Sequence, residues 1–364
     1  MLIATLWLVF GLVLLTIGAD KFVEGASSLA KKLGMSELVI GLTVVAFGTS
    51  APELVVNVIS AWKGEAGLVY GNIIGSNVCN FLLILGVAGM IYPLTAHKDI
   101  IKKDLPYSLL AIVALFILVN DVWFFGGTAT TTTEVTTSGL IKTHTFFGEL
   151  SRIDGAILAG LFAFFLYYVF TSASNGDAPS GEEEDVQELS TGLTWFYLLG
   201  GMTGLVVGGQ LIVDNATFLA KAWGMSDTMI GLTVVAIGTS LPELATSAAA
   251  ALKKKSDIAI ANVVGSNIFN IFFVLSTSSL IAPAKFEDKL NIDIFVVIGG
   301  TVLLFLFLLF SRGRSRTADE IEIMDNPELV AKTAKEHVFQ RWQGGLFFAA
   351  YIVYLGFSIW REME

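Results

Sequence analysis

The chain has 364 residues, of which 54% are hydrophobic and 15% charged, with a formal net charge of −10 and a mean hydropathy of +0.72. Soluble domains carry about 25% charged residues, so an ordinary soluble globular protein is excluded. The negative charge says little about partners, because much of it sits in loops such as Glu182-Glu183-Glu184-Asp185, and nothing points to nucleic acid. Cys79 is the single cysteine, which excludes an intrachain disulfide.

Apolar runs near the ~20 residues that cross a hydrocarbon core recur from end to end. They predict an all-α membrane protein of ten transmembrane helices. The first half gives Leu2–Ala19, Leu38–Ala61, Gly67–Leu94, Leu105–Phe125 and Asp154–Thr171. The second gives Thr191–Val213, Thr228–Leu252, Asp257–Pro283, Ile292–Ser311 and Gly344–Trp360. The first run lacks a basic leader and continues straight into the first half, so it reads as a span and not a cleaved signal. The organisation is residues 1–171, an acidic linker at 172–190, and residues 191–364.

The two halves repeat one another. Gly41–Glu53 reads G-L-T-V-V-A-F-G-T-S-A-P-E and returns 190 positions later at Gly231–Glu243, where only Phe47/Ile237 and Ala51/Leu241 differ. Gly71–Asn80 (G-N-I-I-G-S-N-V-C-N) returns as Ala261–Asn270 (A-N-V-V-G-S-N-I-F-N) at the same offset. With five spans per half, the second copy must enter the membrane from the opposite side. The expected architecture is therefore two inverted five-helix repeats, with a site at mid-membrane between them. Placing both termini outside puts 15 of the 22 Lys and Arg residues on the cytoplasmic side, as the positive-inside rule asks. The expected location is the cell membrane.

Three loops exceed what a helical hairpin needs. The Thr-rich Gly126–Gly148 reads as a small exposed hairpin or flexible loop in preference to a regulatory lid. Ser172–Ser190 reads as a solvated linker, with Ca²⁺ sensing by its acids as the lesser reading. Arg312–Arg341 contains Asn326-Pro327-Glu328, a start for a short amphipathic helix at the membrane surface.

Glu53 and Glu243 carry the chemistry. A carboxylate at membrane depth costs about 3 kcal/mol or more on insertion scales, so its default reading is functional. One such residue could be a protonated or hydroxyl-satisfied oddity, but two at equivalent repeat positions point to a shared cation site. Pro52 removes a backbone donor and disfavours helix at Ala51, which frees carbonyls around Phe47-Gly48. Such carbonyls are tolerated in a membrane only where they line a cavity. Thr49 and Ser50 place hydroxyls beside the break, and Gly238, Thr239, Ser240 and Pro242 repeat the arrangement. Oxygen without sulfur or imidazole selects hard cations. His97, His144 and His337 all fall in loops. Two bidentate carboxylates and two carbonyls would give six oxygens, within the range of Ca²⁺, and Na⁺ can use the same atoms.

In the second motif Asn72, Ser76 and Asn80 share a helical face, as do Asn262, Ser266 and Asn270. Gly71 and Gly75 are expected to admit a close helix. Ser76, Ser266, Asn80 and Asn270 lean toward the site. Asn77 and Asn267, off that face, are as readily hydrogen-bond glue between helices.

These G-T-S-x-P-E and G-S-N-x-x-N blocks resemble the two α-repeats of the cation/calcium exchanger superfamily, and within it the sodium/calcium exchangers. The resemblance covers essentially the whole chain. It implies a Na⁺/Ca²⁺ antiporter, not an enzyme, working by alternating access with cation sites clustered between helices two, three, seven and eight. Glu53 and Glu243 would be the central Ca²⁺ ligands, shared with Na⁺. Thr49, Ser50, Thr239 and Ser240 would add oxygens, the carbonyls of Ala46 and Ala236 with Ser76 and Ser266 would form the outer and inner Na⁺ sites, and Asn80 and Asn270 would line the centre. The first and sixth helices would slide across the motif helices. No cofactor or protein partner is implied beyond the transported ions and the bilayer. Members that also carry K⁺ have aspartate where this chain has Asn270, which argues against K⁺. Proton-coupled relatives have a G-N-x-x-E pattern where this chain has Gly75 and Gly265. A Ca²⁺/H⁺ antiporter on the same fold remains the alternative.

Overall fold

The computed structural model describes residues 1–120, 123–124, 126, 130–135, 141–174, 189–222, 236–311 and 337–363. The helices, in chain order, are α1 Leu2–Leu33, α2 Leu38–Thr49, α3 Ala51–Lys63, α4 Ala66–Ile91, α5 Leu105–Val119 and α6 Arg152–Ser174. The second half adds α7 Thr191–Ala222, α8 Ala236–Thr239, α9 Leu241–Leu252, α10 Ser256–Ile281, α11 Asn291–Phe310 and α12 Arg341–Met363.

Among the described residues seven helices are long and apolar enough to cross a membrane, and the α2–α3 pair, bent by 47°, makes up to eight. Of the two other predicted spans, α5 has 15 residues and is entered through a π turn at Ile100–Asp104. The other, Thr228–Leu252, begins outside the described residues and continues as α8 and α9. The acidic run Glu182–Asp185 and the Asn326-Pro327-Glu328 helix start also lie outside them. The chain is a multi-pass helical membrane protein.

Burial sorts the helices into layers. The spanning windows of α4 and α10 are 83% and 94% buried, against 22% to 39% for those of α1, α6, α7, α11 and α12. The second-motif helices are therefore the centre, and the others keep a lipid-facing side. Near this centre α2 packs closely on α10. A Cβ on Gly41 would stand 2.6 Å from Ala261 Cβ, and one on Gly265 would stand 2.9 Å from Ala46 Cβ and 3.0 Å from Leu42 Cα. The close approach expected at Gly71 and Gly75 is not found among the described residues. Their repeat-related neighbours, residues 231–235, lie outside that set.

The long helices α1 and α7 meet along glycines. Gly11 faces Gly208 and Gly18 faces Gly201, so the two run antiparallel. A Cβ on Gly201 would lie 2.7 Å from Phe22 N and 2.8 Å from Gly18 O, closer than side chains tolerate. Backbone against backbone, α1 and α7 form one bar. One end of it is tied to α9: Lys253 Nζ reaches Asp20 Oδ1 at 2.8 Å and Glu24 Oε1 at 3.1 Å. Lys63, 190 residues earlier, makes no such ion pair among the described residues, and Asp214, the counterpart of Glu24, accepts from Gln210 Nε2 at 2.7 Å.

The halves also exchange their edges. β1 (Leu94–Ala96) follows α4 and pairs antiparallel with β5 (His337–Phe339), which precedes α12. In the mirror arrangement β4 (Ala284–Glu287) follows α10 and pairs with β3 (Ile141–Leu150), which precedes α6. The Arg that opens α12, Arg341, donates to Ile91 O at the end of α4, and Arg152, opening α6, donates to Ile281 O at the end of α10. Each fifth helix thus packs on the other half's third. β3 also pairs antiparallel with β2 (Thr130–Val135), so the described strands of the Thr-rich loop form a sheet with β4.

Candidate functional site

Each glutamate is carried on the first turn after a break. Pro52 and Pro242 fall in the first turns of α3 and α9, where the absent N–H is least missed. The preceding Ser50 and Ser240 leave helical geometry with the same backbone angles, φ −83° and ψ 7° and φ −88° and ψ 7°. Pro52 has no hydrogen for the Gly48 carbonyl. The Ala46 carbonyl accepts from Ser50 N at 3.0 Å and from Thr49 Oγ1 at 3.4 Å.

The breaks bring both carboxylates into the protein centre, where Glu53 and Glu243 are each 0% exposed. Their contacts cross between the halves. Ser50 donates to Glu243 Oε1 at 3.0 Å, and Ser240 donates to Glu53 Oε1 at 3.4 Å. Glu53 Oε1 also accepts from Ser76 Oγ at 3.3 Å. Thr49 donates to Asn262 Oδ1 at 3.1 Å and Thr239 to Asn72 Oδ1 at 3.4 Å. Asn80 Nδ2 donates to Asn267 Oδ1 and Asn270 Nδ2 to Asn77 Oδ1. These motif residues of one half find mirror partners in the other.

Sequence reasoning missed Asn57 and Ser247. Asn72 Nδ2 donates to Asn57 Oδ1 at 2.6 Å, and Asn262 Nδ2 to Ser247 Oγ at 2.9 Å. The same amino groups reach the carbonyls of Glu53 and Glu243. Asn72 and Asn262 are therefore braces between helices, and their partners lie four residues beyond each glutamate. That polar position one turn on, at offset 190 in both halves, was the available signal.

Five buried oxygens in this centre have no hydrogen-bond partner among the described residues: Glu53 Oε2, Glu243 Oε2, Asn80 Oδ1, Asn270 Oδ1 and Ser266 Oγ. A buried polar atom left unpaired is costly, and an unpaired carboxylate far more so. No group of three or more His, Cys, Asp or Glu that could hold a metal occurs among the described residues. What the centre offers is two carboxylates supplemented by neutral oxygens, the donor set of a hard cation.

The sodium/calcium exchanger protein family profile matches residues 3–171 and 193–360, the two halves separately. The chain belongs to this family. It is 35% identical over 317 residues to the sodium/calcium exchanger MaX1 of Methanosarcina acetivorans, covering 83% of this chain and 90% of that one. It is 36% identical over 294 residues to the inner membrane protein YrbG of Escherichia coli, covering 79% and 82%. Its fold matches the sodium-calcium exchanger NCX_Mj soaked with Na⁺, with a TM-score of 0.73, 32% identity, and coverage of 98% of this chain and 99% of that one.

Proposed function

We propose that this family member is a secondary antiporter that exchanges Na⁺ for Ca²⁺ across the cell membrane by alternating access, both termini lying outside. The observation that carries the reading is the set of five unpartnered buried oxygens shared between the two halves. Two carboxylates in a low-dielectric centre repel one another, and a bound cation relieves both that repulsion and their desolvation. Ca²⁺ neutralises the pair. Na⁺ ions would use the same carboxylates with Thr49, Ser50, Thr239 and Ser240, the carbonyls of Ala46 and Ala236, and Ser76 and Ser266. Because the ligands are shared, the two ions exclude each other, and exclusion couples the fluxes.

The antiparallel contact of α1 with α7, and the mirror exchange of α6 and α12, support two repeats of opposite orientation. The glycine-joined bar is then the element that would slide across α2–α3 and α8–α9 to switch access.

The test is ⁴⁵Ca²⁺ uptake into proteoliposomes loaded with Na⁺, against K⁺-loaded controls at matched pH. Uptake that requires internal Na⁺ is the expected result. Uptake indifferent to Na⁺ but driven by a pH gradient would move the chain to Ca²⁺/H⁺ exchange, and uptake with neither would sink the antiporter reading.

A further inference from the structure

Asn80 and Asn270 have amide ends of nearly equal size, one an oxygen that attracts a cation and one an amino group that repels it. Shape alone does not choose between them. In this chain the choice is made by a neighbour. Asn80 Nδ2 is engaged by Asn267 Oδ1 at 2.9 Å, and Asn270 Nδ2 by Asn77 Oδ1 at 3.1 Å. Both pairs have the same polarity, and in both the other end, Oδ1, is left buried and without a donor among the described residues. Asn77 is itself oriented, since its own Nδ2 lies 3.5 Å from the Asn267 carbonyl, which turns its Oδ1 toward Asn270. Asn267 Nδ2, by contrast, has no partner among the described residues, and its amide is held by Asn80 alone.

We propose that Asn77 and Asn267 are positioning residues that touch no ion and set the polarity of the site by accepting from the amino groups of Asn270 and Asn80. This rests on the ion-site reading above and deepens it. The two acceptors lie in the half opposite to the amide each controls, so the oxygen-inward arrangement exists only while the halves are correctly docked. Asn77 and Asn267 are 0% and 1% exposed, which shields both acceptors from bulk solvent.

The test uses the full chain in proteoliposomes and reads the KM for Ca²⁺ separately from the maximal rate. Asn77→Leu keeps the number and branching of the side-chain heavy atoms and removes the acceptor. The Asn270 amide is then free to turn its amino group inward, and KM should rise roughly tenfold with the maximal rate little changed. Asn77→Asp keeps an acceptor, and KM should stay at or below that of the unmutated chain. The deciding comparison is Asn77→Leu made in an Asn270→Asp background. A carboxylate has oxygen at both ends, so turning it over is harmless, and the cost of Asn77→Leu should fall to about twofold or less.

An equal cost in both backgrounds, or no cost in the first, would overturn the proposal. If the Asn270→Asp chain transports too little to measure, the Leu and Asp replacements at position 77 decide alone, with equal impairment counting against it. Failure of the underlying reading looks different: Glu53→Gln would then leave Ca²⁺ transport intact, whatever happens at position 77.

Discussion

Glu53→Gln and Glu243→Gln should each reduce Ca²⁺ transport by at least about 100-fold while leaving the protein folded. Removing one charged partner from a buried ionic set costs roughly 3–5 kcal/mol, and each 1.4 kcal/mol is a factor of ten in affinity. The replacement is close to isosteric, and it takes a charge out of a site that is 0% exposed at either glutamate. Purified, ion-free protein should therefore melt no lower than the unmutated chain, and Ca²⁺ should no longer raise its melting temperature. The two substitutions should be alike in severity because the contacts around them mirror each other, Ser50 on Glu243 and Ser240 on Glu53. Flux at the normal level from either variant would remove the glutamates from the site.

The second large effect concerns stability. Gly201→Ala and Gly18→Ala should each lower the unfolding free energy by about 1–3 kcal/mol, the usual cost of overpacking. The new methyl at residue 201 would sit 2.7 Å from Phe22 N, and the one at residue 18 would sit 2.8 Å from Leu205 N. Neither neighbour is a flexible side-chain tip, so the helices must separate. Once they have, the second methyl meets less resistance, and the double variant should lose less than the sum of the two. Gly200→Ala is the control. A Cβ there meets nothing within 4 Å among the described residues, and the change should be neutral or stabilising by a few tenths of a kcal/mol through helix propensity. Equal melting temperatures for Gly200→Ala and Gly201→Ala in detergent would contradict the backbone contact.

Much of the architecture was legible in the chain because the molecule states its plan twice. One Glu, Pro and Gly cluster in an apolar run is ambiguous, but the same cluster at Glu53 and Glu243 is a symmetry statement, and the structure buries both in the centre. The bend before Ala51 followed from Pro52 alone. Other features needed three dimensions. Gly11, Gly18 and Gly25 recur every seven residues, yet nothing local says that they face Gly208, Gly201 and Leu198. Asn72 shares a helical face with Ser76 and Asn80, but its amide is committed to Asn57, a contact no helical wheel displays. For Asn77 and Asn267 the sequence left two readings equal, and the structure pairs each with an amide of the other half. The close approach expected at Gly71 and Gly75 belongs to a stretch whose repeat-related neighbours lie outside the described residues.

The tie at Lys253 makes the two ends of the bar electrically unequal. At one end two ammoniums, Lys253 and Lys21, face two carboxylates, Asp20 and Glu24. At the other, the repeat supplies Lys63 and Asp214 for an equivalent clasp, but Gln210 and Leu211 stand where Asp20 and Lys21 stand in the first half. Two copies of one gate would be balanced on a knife edge, with neither side of the membrane preferred. On the proposed alternating-access reading the balance is weighted by one missing pair of opposite charges, so preference between the two faces of the membrane would be a property the chain can tune without touching the proposed ion site. Gln210→Asp combined with Leu211→Lys should even the maximal rates measured in the two transport directions. A ratio that stays where it was would assign the preference elsewhere.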